Sequence, residues 1–224
     1  MSFWKKRSSS KSDKPIKIID AAKRLYQHQI LAATDGNISA RDTQEEIFIT
    51  PSGRQKAFLR PDEIILFNTK EKNKKGNVSS ELSMHLKVYE KCPKANFVIH
   101  AHPPSAIAWS IAFPKLKMLP NDVLPELILA VGNIPFVPYA RPGTEEMAYN
   151  IAPYLPQYRA MILTRHGALS WGENMDEAIN GMERIEHTAQ ILLKAKSLRG
   201  LTTLSQDEIQ YLQQKRKQIG EIRL

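Results

Sequence analysis

Residues 97–104, "FVIHAHPP", narrow the folding options of the chain more than any other segment. Phe97, Val98 and Ile99 read as a buried strand that runs into His100, Ala101 and His102, and Pro103-Pro104 stops it. Side chains alternate along a strand, so both histidines emerge on one face at its end. That geometry suits two cis ligands of a metal such as zinc. It also suits two satisfied histidines at a strand terminus, and the pair alone does not separate the two readings.

The rest of the chain interleaves helical and extended patterns. Ile16, Ile19, Ala22, Leu25, Tyr26 and Ile30 give a helical spacing over 16–33, which "TDGN" at 34–37 breaks. Short strands follow in "NISARD", "EIFITPSG" and "EIILFN"; a helix covers 80–91 and another starts near Pro103. "LPELILAVG" reads as a short helix, "IPFVPYA" as extended, 144–155 as a helix, and "AMILTRHG" and "ALSWG" as strands. Asp176 to Lys196 and Ser205 to Lys217 form the last helices. Short turns join several strands, so the expected fold is α/β, a mixed or antiparallel sheet flanked by helices. Residues 1–15 are read as a basic, flexible tail and 16–224 as one domain, long enough for a full core.

A third histidine gives the first two a purpose. His166 follows the apolar run "AMIL" and precedes Gly167, again at the end of a predicted strand. Three histidines with a vacant fourth position are the arrangement of a catalytic zinc rather than a closed structural one. The acid such chemistry needs is offered by Glu81 in "SSELSMH", at the first turn of a predicted helix. His85, one helical turn on, is read as structural, and His187 as the structural partner of Glu183. Three small-polar turns, "TDGN" (34–37), "TPSG" (50–53) and Ser79-Ser80, offer hydroxyls and backbone N–H groups that suit an anion such as phosphate.

Composition excludes several other classes. With 42% hydrophobic and 25% charged residues the chain is globular. No apolar run of about 18 residues marks a membrane span, and no apolar signal segment follows the basic N-terminus. The net charge of +9 raises nucleic acid as a partner. Much of that charge lies in the tail and in "TKEKNKKGN" at 69–77, read as a solvated turn. No zinc-finger, RRM or helix-turn-helix signature accompanies it. Attraction of anionic metabolites explains the charge as well, and nucleic acid is not the expected partner. The one cysteine, Cys92, precludes an internal disulfide, is read as a buried thiol and fits a reducing cytoplasm.

The motifs "TDGNISARD", "IFITPSG", "SSELSMHLKVYEKCPKANFVIHAHPPSAIAWS", "PFVPYARPGTEE" and "TRHGALSWGENMDEAINGMERIEHTAQIL" resemble, in order and spacing, the class II aldolase/adducin family, particularly its fuculose-phosphate aldolase branch. The resemblance covers residues 17–218. It implies a three-layer α/β/α domain around a mainly antiparallel sheet, assembled as a homotetramer with active sites between subunits. It implies one zinc, or another divalent metal, per subunit on His100, His102 and His166. Glu81 is then the catalytic acid/base and a zinc ligand when no substrate is bound. The substrate phosphate falls to Thr34, Gly36, Asn37, Ser52, Gly53, Ser79 and Ser80. The implied reaction is reversible cleavage of a ketose 1-phosphate, like fuculose 1-phosphate, to dihydroxyacetone phosphate and an aldehyde through an enediolate.

The chain departs from this branch at its aldehyde end. Fuculose-phosphate aldolases use a tyrosine from a neighbouring subunit and one from the C-terminal tail. The first matching place holds Leu124, and the tail "KQIGEIRL" has no tyrosine. Glu126 is either an auxiliary acid/base in that place or a helix-surface carboxylate, the first being preferred. Alternatives on the same scaffold are a methylthioribulose-1-phosphate type dehydratase and a 4-epimerase; epimerases carry Asp where this chain has Glu81. A non-enzymatic adducin-like binding module, which loses the metal ligands, is disfavoured by all three histidines being present.

Overall fold

Every residue of the strand that carries the first histidine is buried, because it lies at the centre of a seven-stranded sheet. The structure, a computed structural model, describes residues 12–71 and 77–219. Its strands are β1 (Asn37–Arg41), β2 (Glu46–Ile49), β3 (Ile65–Asn68), β4 (Phe97–Ala101), β5 (Phe136–Val137), β6 (Ala160–Leu163) and β7 (Gly167–Gly172). Across the sheet they run β3-β2-β1-β4-β7-β6-β5. All neighbours are antiparallel except β5 with β6. The helices are α1 (Lys14–Gln27), α2 (Leu82–Lys91), α3 (Pro104–Ala112), α4 (Pro125–Ala130), α5 (Glu145–Ile151), α6 (Met175–Leu198) and α7 (Gln206–Ile219).

Alternation along β4 divides the helices into two layers. Phe97, Ile99 and Ala101 join one core with Leu25 of α1, Trp109 of α3 and Ile185 of α6. Val98, on the other face, packs with Met84 and Val88 of α2 and Met147 and Ile151 of α5. The fold is thus the expected α/β domain, helices on both faces of a mainly antiparallel sheet. Burying one such aliphatic side chain is worth about 1.5–3 kcal/mol, and a one-residue slip would exchange the two faces. Register therefore fixes His100 on the α2 side, opposite Asn37 of β1.

Several details differ from the sequence pattern. The first helix stops at Gln27, not 33, and Gln29 takes a positive φ of 59°. Ile30 and Leu31 remain in the core, but from a turn whose Ile30 carbonyl accepts the His102 N–H at 3.0 Å. The helix also begins at Lys14, which bonds Asp42 at 2.9 Å. Glu183 takes Arg24, at 2.6 and 2.8 Å, rather than His187. Cys92 is free and buried, and burial pushes its thiol up to about 12. Residues 1–11 of the basic tail, 72–76 of the charged turn and 220–224 lie outside the described residues. Among those described, no helix is long and apolar enough to cross a membrane.

Candidate active site

The topology carries residues from five places in the chain to one end of the sheet. His100 ends β4, and His102 follows it by two positions on the same face. His166 lies not at a strand end but in the turn between β6 and β7, after Arg165, whose φ is 61°. β7 pairs with β4 from Ala168 opposite Ala101, which sets that turn beside His102. One ring nitrogen from each histidine lies within 4.8 Å of the others.

Glu81 caps the start of α2 and points into the cluster. Its carboxylate oxygens sit 3.3 Å from His100 Nε2 and 3.2 Å from His166 Nε2. Burial by itself would raise the Glu81 pKa; the neighbouring His100, with hydrogen bonds from His166 and Asn37, holds it well below the usual carboxylate range. Burial pushes the His100 pKa down, against the pull of Glu81. Burial also lowers His102, aided by His166 and opposed by Asp35.

These protonation states are suited to a cation. His100 Nδ1 is 2.9 Å from the Ala168 carbonyl, which can only accept, so Nδ1 carries the proton and Nε2 a lone pair. His102 Nδ1 faces the Asp35 carboxylate at 3.4 Å. That leaves its Nε2 directed at His100 Nε2 across 3.1 Å, an approach that only a shared proton or a cation relieves. Tetrahedral zinc with bonds of about 2.0–2.1 Å would set two nitrogens about 3.3 Å apart. His166 Nδ1 is buried with no partner. The residues fit a metal on chemistry as well as spacing.

The small-polar turns gather at the same end. The 34–37 turn leads into β1 at Asn37, and 50–53 leaves β2, which is antiparallel to β1. Pro51 pairs with Val78 and Ser52 N–H donates to the Asn77 carbonyl at 2.7 Å, drawing that turn against Ser79 and Ser80. Thr34, Gly53 and Ser80 are exposed at the mouth, Ser52 is half-buried, and Gly36, Asn37 and Ser79 are buried beneath them. Gly36 has a φ of 72°, and a Cβ there would lie 2.7 Å from the His100 carbonyl oxygen. Asn37 donates to Glu81 at 2.7 Å, so it sits between the turns and the acid. Glu126 is exposed on the first turn of α4.

Two residues not singled out from sequence shape the site. A Cβ on Gly167 would lie 2.5 Å from the Ala101 carbonyl oxygen, 2.8 Å from the His102 ring and 2.9 Å from the His100 ring. Lys56, only 4% exposed, donates to the Thr34 carbonyl at 2.5 Å. Burial lowers its pKa, opposed by Asp35 and Glu81. Neither a glycine after His166 nor a lysine in a loop carries a signal in the sequence, because both constraints come from residues distant in the chain.

His85 lies on α2, outside the group of three histidines. It is fully buried, bonded to Ser39 and Asn37. Burial pushes its pKa down to about 4. The unfolded imidazole protonates near 6.5, so between pH 6.5 and 4 the unfolded chain binds more protons than the folded one. Stability present above pH 6.5 is lost as pH falls, by about 2 kcal/mol from this group between pH 7 and 5. Urea titrations of chelator-treated protein at the two pH values should show that loss, and equal midpoints would refute it.

Comparison with known proteins agrees with the geometry. Residues 16–193 match the family model of the class II aldolase and adducin N-terminal domain. The chain is 33% identical over 173 residues to an L-fuculose phosphate aldolase of Methanococcus maripaludis, covering 77% of this chain and 92% of the relative. It is 30% identical over 177 residues to a 3-oxo-tetronate 4-phosphate decarboxylase of Escherichia coli, covering 76% and 82%. The crystal structure of L-fuculose-1-phosphate aldolase from Thermus thermophilus superposes with a TM-score of 0.75 at 29% identity, over 87% of this chain and all of that one. YgbL from Escherichia coli superposes with a TM-score of 0.81 at 26% identity, over 89% and 97%.

Proposed function

Because the chain belongs to the class II aldolase and adducin family, we propose that it is a zinc-dependent aldehyde-lyase acting on a ketose 1-phosphate of the fuculose 1-phosphate type. Its products are dihydroxyacetone phosphate and an aldehyde. The observation that carries this reading is the convergence of three imidazoles, two of them within 3.3 Å of the buried Glu81 carboxylate.

His100, His102 and His166 would hold the metal, with Glu81 as a further ligand. When bound, the metal supplies Lewis acidity that stabilises negative charge on substrate oxygens. The turns at Thr34, Gly36 and Asn37, at Ser52 and Gly53, and at Ser79 and Ser80 hold the phosphate; the α2 N-terminus beside them favours an anion. Glu81 takes the proton from the hydroxymethyl carbon of dihydroxyacetone phosphate, and returns it in the reverse direction. The protein works in the cytoplasm as a homotetramer with sites at subunit interfaces.

A second reading is a decarboxylase. Loss of carbon dioxide from a 3-oxo-tetronate 4-phosphate leaves the same enediolate of dihydroxyacetone phosphate, with no aldehyde whose oxygen needs a proton. Leu124, where the fuculose-phosphate aldolase branch has a tyrosine, favours it, as does the similarity to the decarboxylase. Glu126, the proposed auxiliary group of the aldolase reading, would then have no part. Condensation of dihydroxyacetone phosphate with L-lactaldehyde and other short aldehydes, followed by NMR, decides between them. A new ketose phosphate supports the aldolase; none, with carbon dioxide released from 3-oxo-tetronate 4-phosphate, replaces it by the decarboxylase.

Gly167→Ala tests the metal assignment without touching a ligand. The new methyl has to displace the His100 and His102 rings, and zinc affinity should fall by about 10–100-fold, the range for disturbed ligand support. Competition against a chromophoric chelator measures it, and an unchanged affinity would contradict the assignment.

A further inference from the structure

β1 turns Asn37 and Ser39 toward α2, where they are 3% and 0% exposed. Polar groups so placed need partners, and theirs form an unbroken chain. Tyr89 Oη lies 2.8 Å from Ser39 Oγ, Ser39 Oγ 2.7 Å from His85 Nδ1, His85 Nε2 2.5 Å from Asn37 Oδ1, and Asn37 Nδ2 2.7 Å from Glu81 Oε2.

The direction of every bond follows from one end. An ionised carboxylate only accepts, so the Asn37 amide presents its NH2 to Glu81 and its carbonyl to His85. His85 Nε2 therefore carries the proton. Burial keeps the imidazole neutral, so Nδ1 is an acceptor and the Ser39 hydroxyl donates to it. Ser39 oxygen then accepts from Tyr89. Four donors point the same way, toward Glu81.

We infer that His85, with its tautomer set by Ser39 and Tyr89, is a positioning residue for Glu81: it locks the Asn37 amide so that an N–H and never the carbonyl faces the carboxylate. This rests on the reading of Glu81 as the group that moves the proton. Without the lock the amide can flip, its oxygen repels Glu81, and the carboxylate rotates. A displacement of about 1 Å can cost about 10²-fold in rate.

Two measurements test this. In long-range ¹H–¹⁵N spectra of the zinc-loaded protein, His85 should be a single neutral tautomer protonated at Nε2, and Ser39→Ala should lose that single state. A tautomer protonated at Nδ1, or an imidazolium, overturns the lock. In proton exchange of dihydroxyacetone phosphate, His85→Leu should lower kcat by about 10–100-fold, the range for residues supporting a metal site. Zinc content and KM should stay unchanged. His85→Gln, whose amide N–H can replace the Nε2 donor, should recover most of the rate. A wild-type kcat in His85→Leu, a loss carried by KM, or no recovery in His85→Gln overturns the role. If His85→Leu does not fold, the Ser39→Ala spectra and exchange rate decide alone. Wild-type protein that exchanges nothing refutes the lyase reading, while the spectra still decide the lock.

Discussion

Glu81→Gln is expected to lower the exchange of dihydroxyacetone phosphate protons with solvent by about 10²–10⁴-fold, the usual worth of a positioned acid/base group. The substitution keeps the shape and the acceptor that Asn37 Nδ2 holds at 2.7 Å, and removes the one charge in the cluster able to take a proton from carbon. Zinc content should change little, because three imidazoles remain. Phosphate affinity should hold as well, since the turns that form the cradle are unaltered. The measurement is a rate by NMR together with zinc content by atomic emission. A variant retaining near-normal exchange would remove Glu81 from the chemistry, whatever its place beside the histidines.

Replacing a histidine should remove the metal along with the activity. His100→Ala leaves two nitrogen ligands and opens a cavity at the end of a strand with no exposed residue. Disturbing groups that merely support ligands costs about 10–100-fold in metal affinity, so losing a ligand should exceed that. After dialysis against a chelator, His100→Ala should hold almost no zinc where the parent holds about one per chain, and exchange should vanish with it. The same outcome is expected for His102→Ala and His166→Ala. His85→Leu should keep its zinc, since His85 faces Ser39 and Asn37 and not the metal cluster. Full zinc occupancy in His100→Ala would contradict the assignment.

The sequence made some of this site legible because its signals are local. A strand that ends in His-x-His must put both rings on one face, and the apolar run before His166 marked a second strand beside it. Turn residues stand out by composition, so the small-polar turns could be named before their places were known. The resemblance supplied the layer order and tied Glu81 to the histidines. What stayed hidden depends on register. Nothing within "NISARD" tells that Asn37 and Ser39 face a helix, until β1 pairs with β4 and sets Asn37 opposite His100. Gly167 was hidden in the same way, its need coming from rings that reach it across β4. The helical spacing runs past the end of α1 because Ile30 and Leu31 are buried and keep that spacing while leaving the helix. Periodicity sees only neighbours in sequence and so points Glu183 to His187 on its own helix, whereas its partner, Arg24, is on α1.

Enolisation at this site is common to the aldolase and decarboxylase readings, and it needs no knowledge of the aldehyde. Zinc-loaded protein in D₂O with dihydroxyacetone phosphate, followed by ¹H NMR, measures it directly. The account predicts stereospecific loss of one hydroxymethyl proton, abolished by a chelator and restored by zinc. Full retention of both protons by protein shown to carry zinc would contradict it, and would move a dehydratase on this scaffold ahead.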